Sequence, residues 1–115
     1  MGGSGGNLPY GGIGGGVIGE GCPRKFEEFL VDVFQTGNIQ YAMNLPEGTE
    51  LNLRFTQDES AISLSHNEKI IGYLPPHRIN IIECIKQGWQ YSSSIVKISG
   101  DEKNPQILVL IIGTL

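Results

Sequence analysis

The sequence predicts a mainly β, barrel-like domain of about six strands, with one α-helix between the fourth and fifth. Three observations carry this. Glu50 to Phe55 alternates, with Leu51, Leu53 and Phe55 on one side and Asn52 and Arg54 on the other, the period-two pattern of a half-buried strand. Segments at both ends of the core, Phe29–Gln35 and Gln106–Ile112, are rich in β-branched or aromatic residues, which fit a pleated surface. Only Arg78 to Gln87 has helical spacing, with Ile81, Ile82 and Ile85 on one side and Ile79 a turn earlier. A closed or partly open barrel limits the exposed edges of so many short strands.

The elements follow in order. Phe26 to Gln35 is expected to be the first strand, ended by Thr36-Gly37-Asn38. Asn44 to Gly48 carries turn chemistry: Pro46 suits an early turn position and Gly48 a left-handed one. After the Glu50–Phe55 strand, Gln57-Asp58-Glu59 is a polar break. Ala61–Leu64 and Lys69–Leu74 then form a hairpin around His66-Asn67-Glu68. Gly72 inside the second arm marks a bulge or a close backbone approach. Pro75-Pro76 stops that arm and leads into the helix, which Gly88 ends. Tyr91–Ser99, the loop to Pro105 and Gln106–Ile112 close the chain as two strands. The last is apolar at successive positions, so both of its faces are expected to be covered, one by the core and one by another body.

The organisation is a glycine-rich tail over residues 1–25 followed by a single domain over 26–115. Eleven of the 17 glycines fall in the first 21 residues, alongside one formal charge, Glu20. Ordering such a segment costs backbone entropy that few side chains offset, so the tail is expected to be mobile. Leu8, Tyr10, Ile13, Val17 and Ile18 are its docking-competent exceptions. Apolar residues make up 39% of the whole chain, and the residues beyond the tail suffice for one modest core.

The net charge of −4 and pI of about 5.0 argue against a strong nonspecific nucleic-acid binder, whose affinity rests on phosphate neutralisation. The apolar run Ile107–Ile112 is far shorter than the ~20 residues of a membrane helix. No secretory signal pattern is visible. The two cysteines, Cys22 and Cys84, lie far apart in sequence. Cys84 reads as a buried thiol on an apolar helix and Cys22 as free, which fits a reducing, cytoplasmic setting. No cofactor and no membrane partner is expected.

Catalytic motifs do not assemble. Gly14 to Gly19 formally matches G-x-G-x-x-G, but no strand precedes it and no helix follows at once. His66 and His77 have no cysteine or carboxylate at metal-ligand spacing. The pairs Glu27-Glu28 and Asp58-Glu59 are sequence neighbours, which point to opposite sides of a strand and form no acid/base couple. The expectation is a chain that is not an enzyme. Tyr73, Trp89, Tyr91, Phe34 and Arg54 are the residues from which a stacking surface would be built.

From Leu51 to Ile112 the chain resembles the HIRAN domain family. The residues that carry the resemblance are LNLRF (51–55), ESAISL (59–64), KIIGYLP (69–75), INIIECIKQGWQYSSSIVKI (79–98) and the closing apolar strand, with FLVDVFQTG (29–37) fitting the family's first strand. The loop after Arg54 is several residues shorter than the family's and lacks its proline and paired asparagine. The resemblance implies a non-catalytic module that holds the 3′ end of single-stranded DNA in a pocket. The walls of that pocket are the first strand, the loop after the arginine and the glycine-tyrosine step. Carried over by position, the site residues are Phe34, Arg54, Asp58 and Tyr73. Tyr73 and Phe34 supply rings for stacking, Arg54 meets a phosphate, and Asp58 accepts a bond from a sugar hydroxyl. The alternative is a protein-interaction or assembly module, which keeps the fold without DNA binding and meets a protein partner or a second copy through the C-terminal strand.

Overall fold

The computed structural model describes residues 21–115. The tail up to residue 20 and the Gly14–Gly19 match lie outside the described residues.

Six antiparallel strands form one curled sheet, with a small helix between the fourth and fifth. They are β1 (Lys25–Phe29), β2 (Glu50–Phe55), β3 (Ile62–His66), β4 (Lys69–Tyr73), β5 (Gln90–Gly100) and β6 (Pro105–Thr114). Their spatial order is β1-β6-β5-β2-β3-β4. The mainly β architecture and the place of the helix are those read from the sequence.

β5 and β6 make the long spine, paired from Gln90↔Thr114 to Gly100↔Pro105, with one irregularity between Ile95 and Lys97. The β2–β5 contact is brief, Glu50↔Ser94 and Leu51↔Ser93, and the sheet turns there. The turn brings β4 back towards the chain leaving β1. Two backbone bonds join Val31 and Tyr73, at 2.8 and 3.0 Å, so the far edge meets the near one.

Alternation decides which side chains fill the interior. Ile107, Val109 and Ile111 of β6 point inward with Ile95, Leu51, Ile62, Leu64 and Ile71, all buried. The second helix, α2 (Ile81–Lys86), covers one side with Ile81 and Ile82, after a 3-10 turn over Pro76–Arg78. Gly88 follows it at φ 109, a backbone angle that suits glycine. Gly72 sits at a close approach: a Cβ there would lie 3.0 Å from Leu30 Cβ and Cδ1, so Leu30 would have to shift slightly to accommodate one. The register of the β3–β4 hairpin also shifts beside it, at Leu64/Ser65. The hairpin turns through Asn67 and Glu68, both left-handed (φ 49 and 66), as a two-residue turn of that type demands.

Three local expectations are corrected. The first strand does not reach Gln35: it ends at Phe29, Asp32 takes a left-handed φ of 58, and Phe34–Thr36 is a 3-10 turn. The left-handed residue breaks the alternation that the composition suggested. A short helix, α1 (Ile39–Met43), follows, where none was expected; it is held to the domain by buried Ala42. The cysteines are not free. Cys22 and Cys84 form a disulfide across a sequence separation of 62, their Cα atoms 5.7 Å apart. Residues 21–24 lie along the domain, where Gly21 O accepts a bond from Asn80 Nδ2, Pro23 O one from Tyr91 OH, and Arg24 O one from Gly113 N. That placement brings Cys22 to α2, and it removes the free thiols on which a reducing compartment was argued. No helix among the described residues is long and apolar enough to cross a membrane.

The final strand is asymmetric. Its inward residues are fully buried, whereas Leu108 and Leu110 are half-buried and Ile112 is exposed on the outer face. Leu108 stands opposite exposed Phe29 on β1.

Candidate functional site

A cleft of about 700 Å³ opens where the curled sheet meets itself. Three segments enclose it: the chain just after β1, the β2–β3 loop, and the end of β4 with the following prolines. Val31, Ala61, Ile62, Leu74, Pro75, Pro76 and Ile79 give an apolar lining beside Tyr73. Asp32, Gln35, Thr56 and Ser60 are its polar members, and no lysine, arginine or histidine lines it.

Each wall is set by local chemistry. The Val31–Tyr73 bridge fixes the phenol beside the opening and holds Asp32 directly after it. Thr36 Oγ1 donates to Val33 O and accepts from Asn38 N, which winds the chain into the 3-10 turn and places Gln35 on the rim. Asn38 Nδ2 in turn donates to Ile70 O of β4 at 2.8 Å.

The β2–β3 loop is organised around Asp58. Its Oδ1 accepts bonds from Thr56 Oγ1 (2.7 Å), Ser60 Oγ (2.7 Å) and Ser60 N (3.2 Å). These bonds, those from Ser60 and Thr56 side chains foremost, hold its carboxyl below the ordinary carboxylate value. Glu59 follows with φ 60 and accepts from Lys86 Nζ at 2.9 Å, which ties the loop to α2. That hydrogen bond raises the Lys86 ammonium above its ordinary value.

The four residues singled out from the sequence have different fates. Tyr73 lines the cleft. Asp58 shapes the wall through Thr56 and Ser60, and does not itself line the cleft. Phe34 is 64% exposed and outside the lining, because the 3-10 turn presents Gln35 instead. Arg54 lines a second cleft of about 410 Å³ on the outer face of β2–β3–β4, with Asn52, Ser63, Ser65, Glu68 and Ile70. Trp89 and Tyr91 stack on each other at 6.1 Å between ring centroids, with Arg24 over the indole. They line neither cleft, and buried Trp89 belongs to the packing around residues 21–24.

Asp32, Gln35, Thr56 and Ser60 were not singled out from the sequence. The TQDES run carries the signature of a side-chain-closed turn, hydroxyls flanking an aspartate, and would have pointed to Thr56 and Ser60. Nothing in the composition around Asp32 announces its left-handed backbone.

The other charges near the opening are engaged. Glu28 Oε1 accepts from Arg78 Nε at 2.8 Å and lies 3.1 Å from His77 Nε2, while the Arg78 guanidinium covers Phe26. Among the described residues, no group of three or more His, Cys, Asp or Glu is arranged to hold a metal. Compared with protein-family models, curated proteins and solved structures, the chain gives no match.

Proposed function

We propose that this domain is a non-catalytic binding module that takes the end of a single-stranded nucleic acid, most naturally single-stranded DNA, into the cleft beside Tyr73. One observation carries this reading. The 700 Å³ cleft is enclosed by the same three segments that the HIRAN resemblance implies for its pocket: the chain after the first strand, the loop after Arg54, and the glycine-tyrosine step. An apolar lining with one ring suits a base, and acceptors such as Asp32, Gln35 and the two hydroxyls suit a terminal sugar hydroxyl. Affinity then comes from stacking at short range, since the cleft itself has no cation.

The test is a titration of the full chain with short labelled oligonucleotides bearing free or blocked 3′ ends. The free end should bind and the blocked end should not. Tyr73→Ala should weaken binding about tenfold to a hundredfold, since stacking on an aromatic ring is worth about 1–3 kcal/mol per base. A stable Tyr73→Ala protein that binds as the parent does would remove Tyr73 from the site, and a parent that binds no oligonucleotide at low salt would retire the reading.

A second reading is favoured by the outer face of β1 and β6, where Phe29 and Ile112 are 51% and 40% exposed beside half-buried Leu108 and Leu110. An apolar strip of this kind suits protein contact, including a second copy of the chain. Concentration-dependent sedimentation that Ile112→Lys abolishes would support it, and a monomer at every concentration would reject self-association.

A further inference from the structure

Residues 21–24 form a short cover over one end of the sheet. Asn80 Nδ2 donates to Gly21 O at 3.0 Å, Tyr91 OH to Pro23 O at 3.0 Å and Gly113 N to Arg24 O at 2.8 Å. Beneath the cover lie Trp89, only 5% exposed, and Tyr91, stacked on each other, with the Arg24 guanidinium 5.5 Å from the indole centroid. The seat is close: a Cβ at Gly113 would lie 2.9 Å from Pro23 O.

The cover buries little of itself. Gly21 and Arg24 are exposed, and Cys22 and Pro23 are half-buried. Water can therefore replace the partners of the three carbonyls, and apolar burial adds little hold. Lys25 anchors one end of the cover by pairing with Ile112. The Cys22–Cys84 bond anchors the other to α2, beside the indole, since Trp89 N donates to Cys84 O. Without the covalent tie, a chain segment of this kind frays easily. The two halves of the bond are not equivalent. Cys84 is 3% exposed, whereas Cys22 is half-buried on the outer segment, so an incoming thiolate reaches Cys22.

We propose that Cys22–Cys84 is a redox latch, opened by a dithiol through Cys22, and that its opening frees residues 21–24 and uncovers Trp89 and Tyr91. A thiolate of the dithiol attacks Cys22 Sγ. A mixed disulfide forms, the Cys22–Cys84 bond breaks, and its electron pair leaves on Cys84 Sγ, which takes a proton. The second thiolate then attacks the dithiol's own sulfur in the mixed disulfide and expels Cys22, which is protonated in turn. The protein gains two electrons and two protons, and the dithiol becomes a disulfide. The latch lies apart from both clefts, whose linings include neither Trp89 nor Tyr91, so it stands or falls independently of the nucleic-acid reading.

The test treats the full chain with dithiothreitol and follows three signals. Mass should rise by two hydrogens. The emission of Trp89, the chain's one tryptophan, should move to longer wavelength and become more accessible to acrylamide. The Gly113 amide, bonded to Arg24 O, should exchange at least about tenfold faster, given what such a cross-link contributes. The amides of Ile107, Val109 and Ile111 should keep their protection. A reduced protein with Gly113 and Trp89 unchanged would overturn the latch, as would a bond that resists dithiothreitol in the folded protein. Loss of protection at Ile107, Val109 and Ile111 together with Gly113 would make the bond a staple of the whole fold and overturn it too. A second arm uses glutathione, a monothiol that stops at the first step, with the freed thiol capped by iodoacetamide. Glutathione should be found on Cys22 and the cap on Cys84; the opposite labelling would overturn entry through Cys22.

Discussion

The β5–β6 ladder and the rim where β4 meets the chain after β1 are built by different means. The ladder runs ten pairs from Gln90↔Thr114 to Gly100↔Pro105, and buries Ile95, Ile107, Val109 and Ile111 on its inner side. The rim is held by two backbone bonds between Val31 and Tyr73, a left-handed aspartate, and a loop closed on Asp58. The ladder draws its stability from area removed from water, and it tolerates no loss of volume. The rim draws its shape from a few directional bonds and a strained residue, and it encloses the cleft. Rigidity and the candidate site thus sit in separate parts of one sheet, joined through β2 and β3.

The comparison breaks most readily on the ladder side. Ile107→Ala should lower stability by about 2–5 kcal/mol, the cost of a cavity in a packed core, since Ile107 has no exposed surface; urea unfolding measures it. The disulfide comes next. Reducing Cys22–Cys84, or replacing both with serine, should cost about 2–4 kcal/mol, because the bond closes a long loop in the unfolded chain. Thermal unfolding with and without a thiol reductant reads this, and an intact protein two daltons lighter than its reduced form identifies the bond.

Smaller effects sharpen the rim side. Asp32→Gly relieves a left-handed backbone at φ 58 and should raise stability by about 1 kcal/mol, while weakening oligonucleotide binding through loss of the rim carboxylate. A gain in stability with unchanged binding would free Asp32 of any part in the site. Asp58 gives a pH signature. Its folded-state value lies below that of the unfolded chain, through bonds from Ser60 and Thr56. Its stabilising contribution is therefore complete above the ordinary carboxylate range and is lost as the pH falls through the lowered folded value. Asp58→Asn should flatten this acid limb slightly, lowering neutral stability by a small amount and leaving stability at low pH nearly unchanged, as melting temperatures from neutral to acidic pH will show.

The two regions also differ in how well they can be read before folding. The ladder, the hairpin around Asn67-Glu68 and the helix after Pro75-Pro76 announce themselves through period and turn chemistry, as Leu51, Leu53 and Phe55 do for β2. The rim does not. The apolar content of Phe29–Gln35 points to a strand, whereas Asp32 turns the chain out of it and exposes Phe34. The Cys22–Cys84 bond depends on residues 21–24 lying against the domain, from Asn80 at the start of α2 to Tyr91 and Gly113, a set of tertiary contacts with no local signal. Tyr73 and Arg54 stand out as residue types, but their alignment across β2, β3 and β4, both opposite Ser63, depends on a register that neither segment encodes alone.

Backbone amide shifts of the full chain, followed during titration with a short single-stranded oligonucleotide carrying a free 3′ end, test the central claim most directly. Ligand entry into the cleft predicts saturable shifts at Val31, Asp32, Gln35, Thr56, Ser60 and Tyr73, with the outer face of β6 unmoved. No shifts at any oligonucleotide concentration, or shifts confined to Leu108, Leu110 and Ile112, would contradict it.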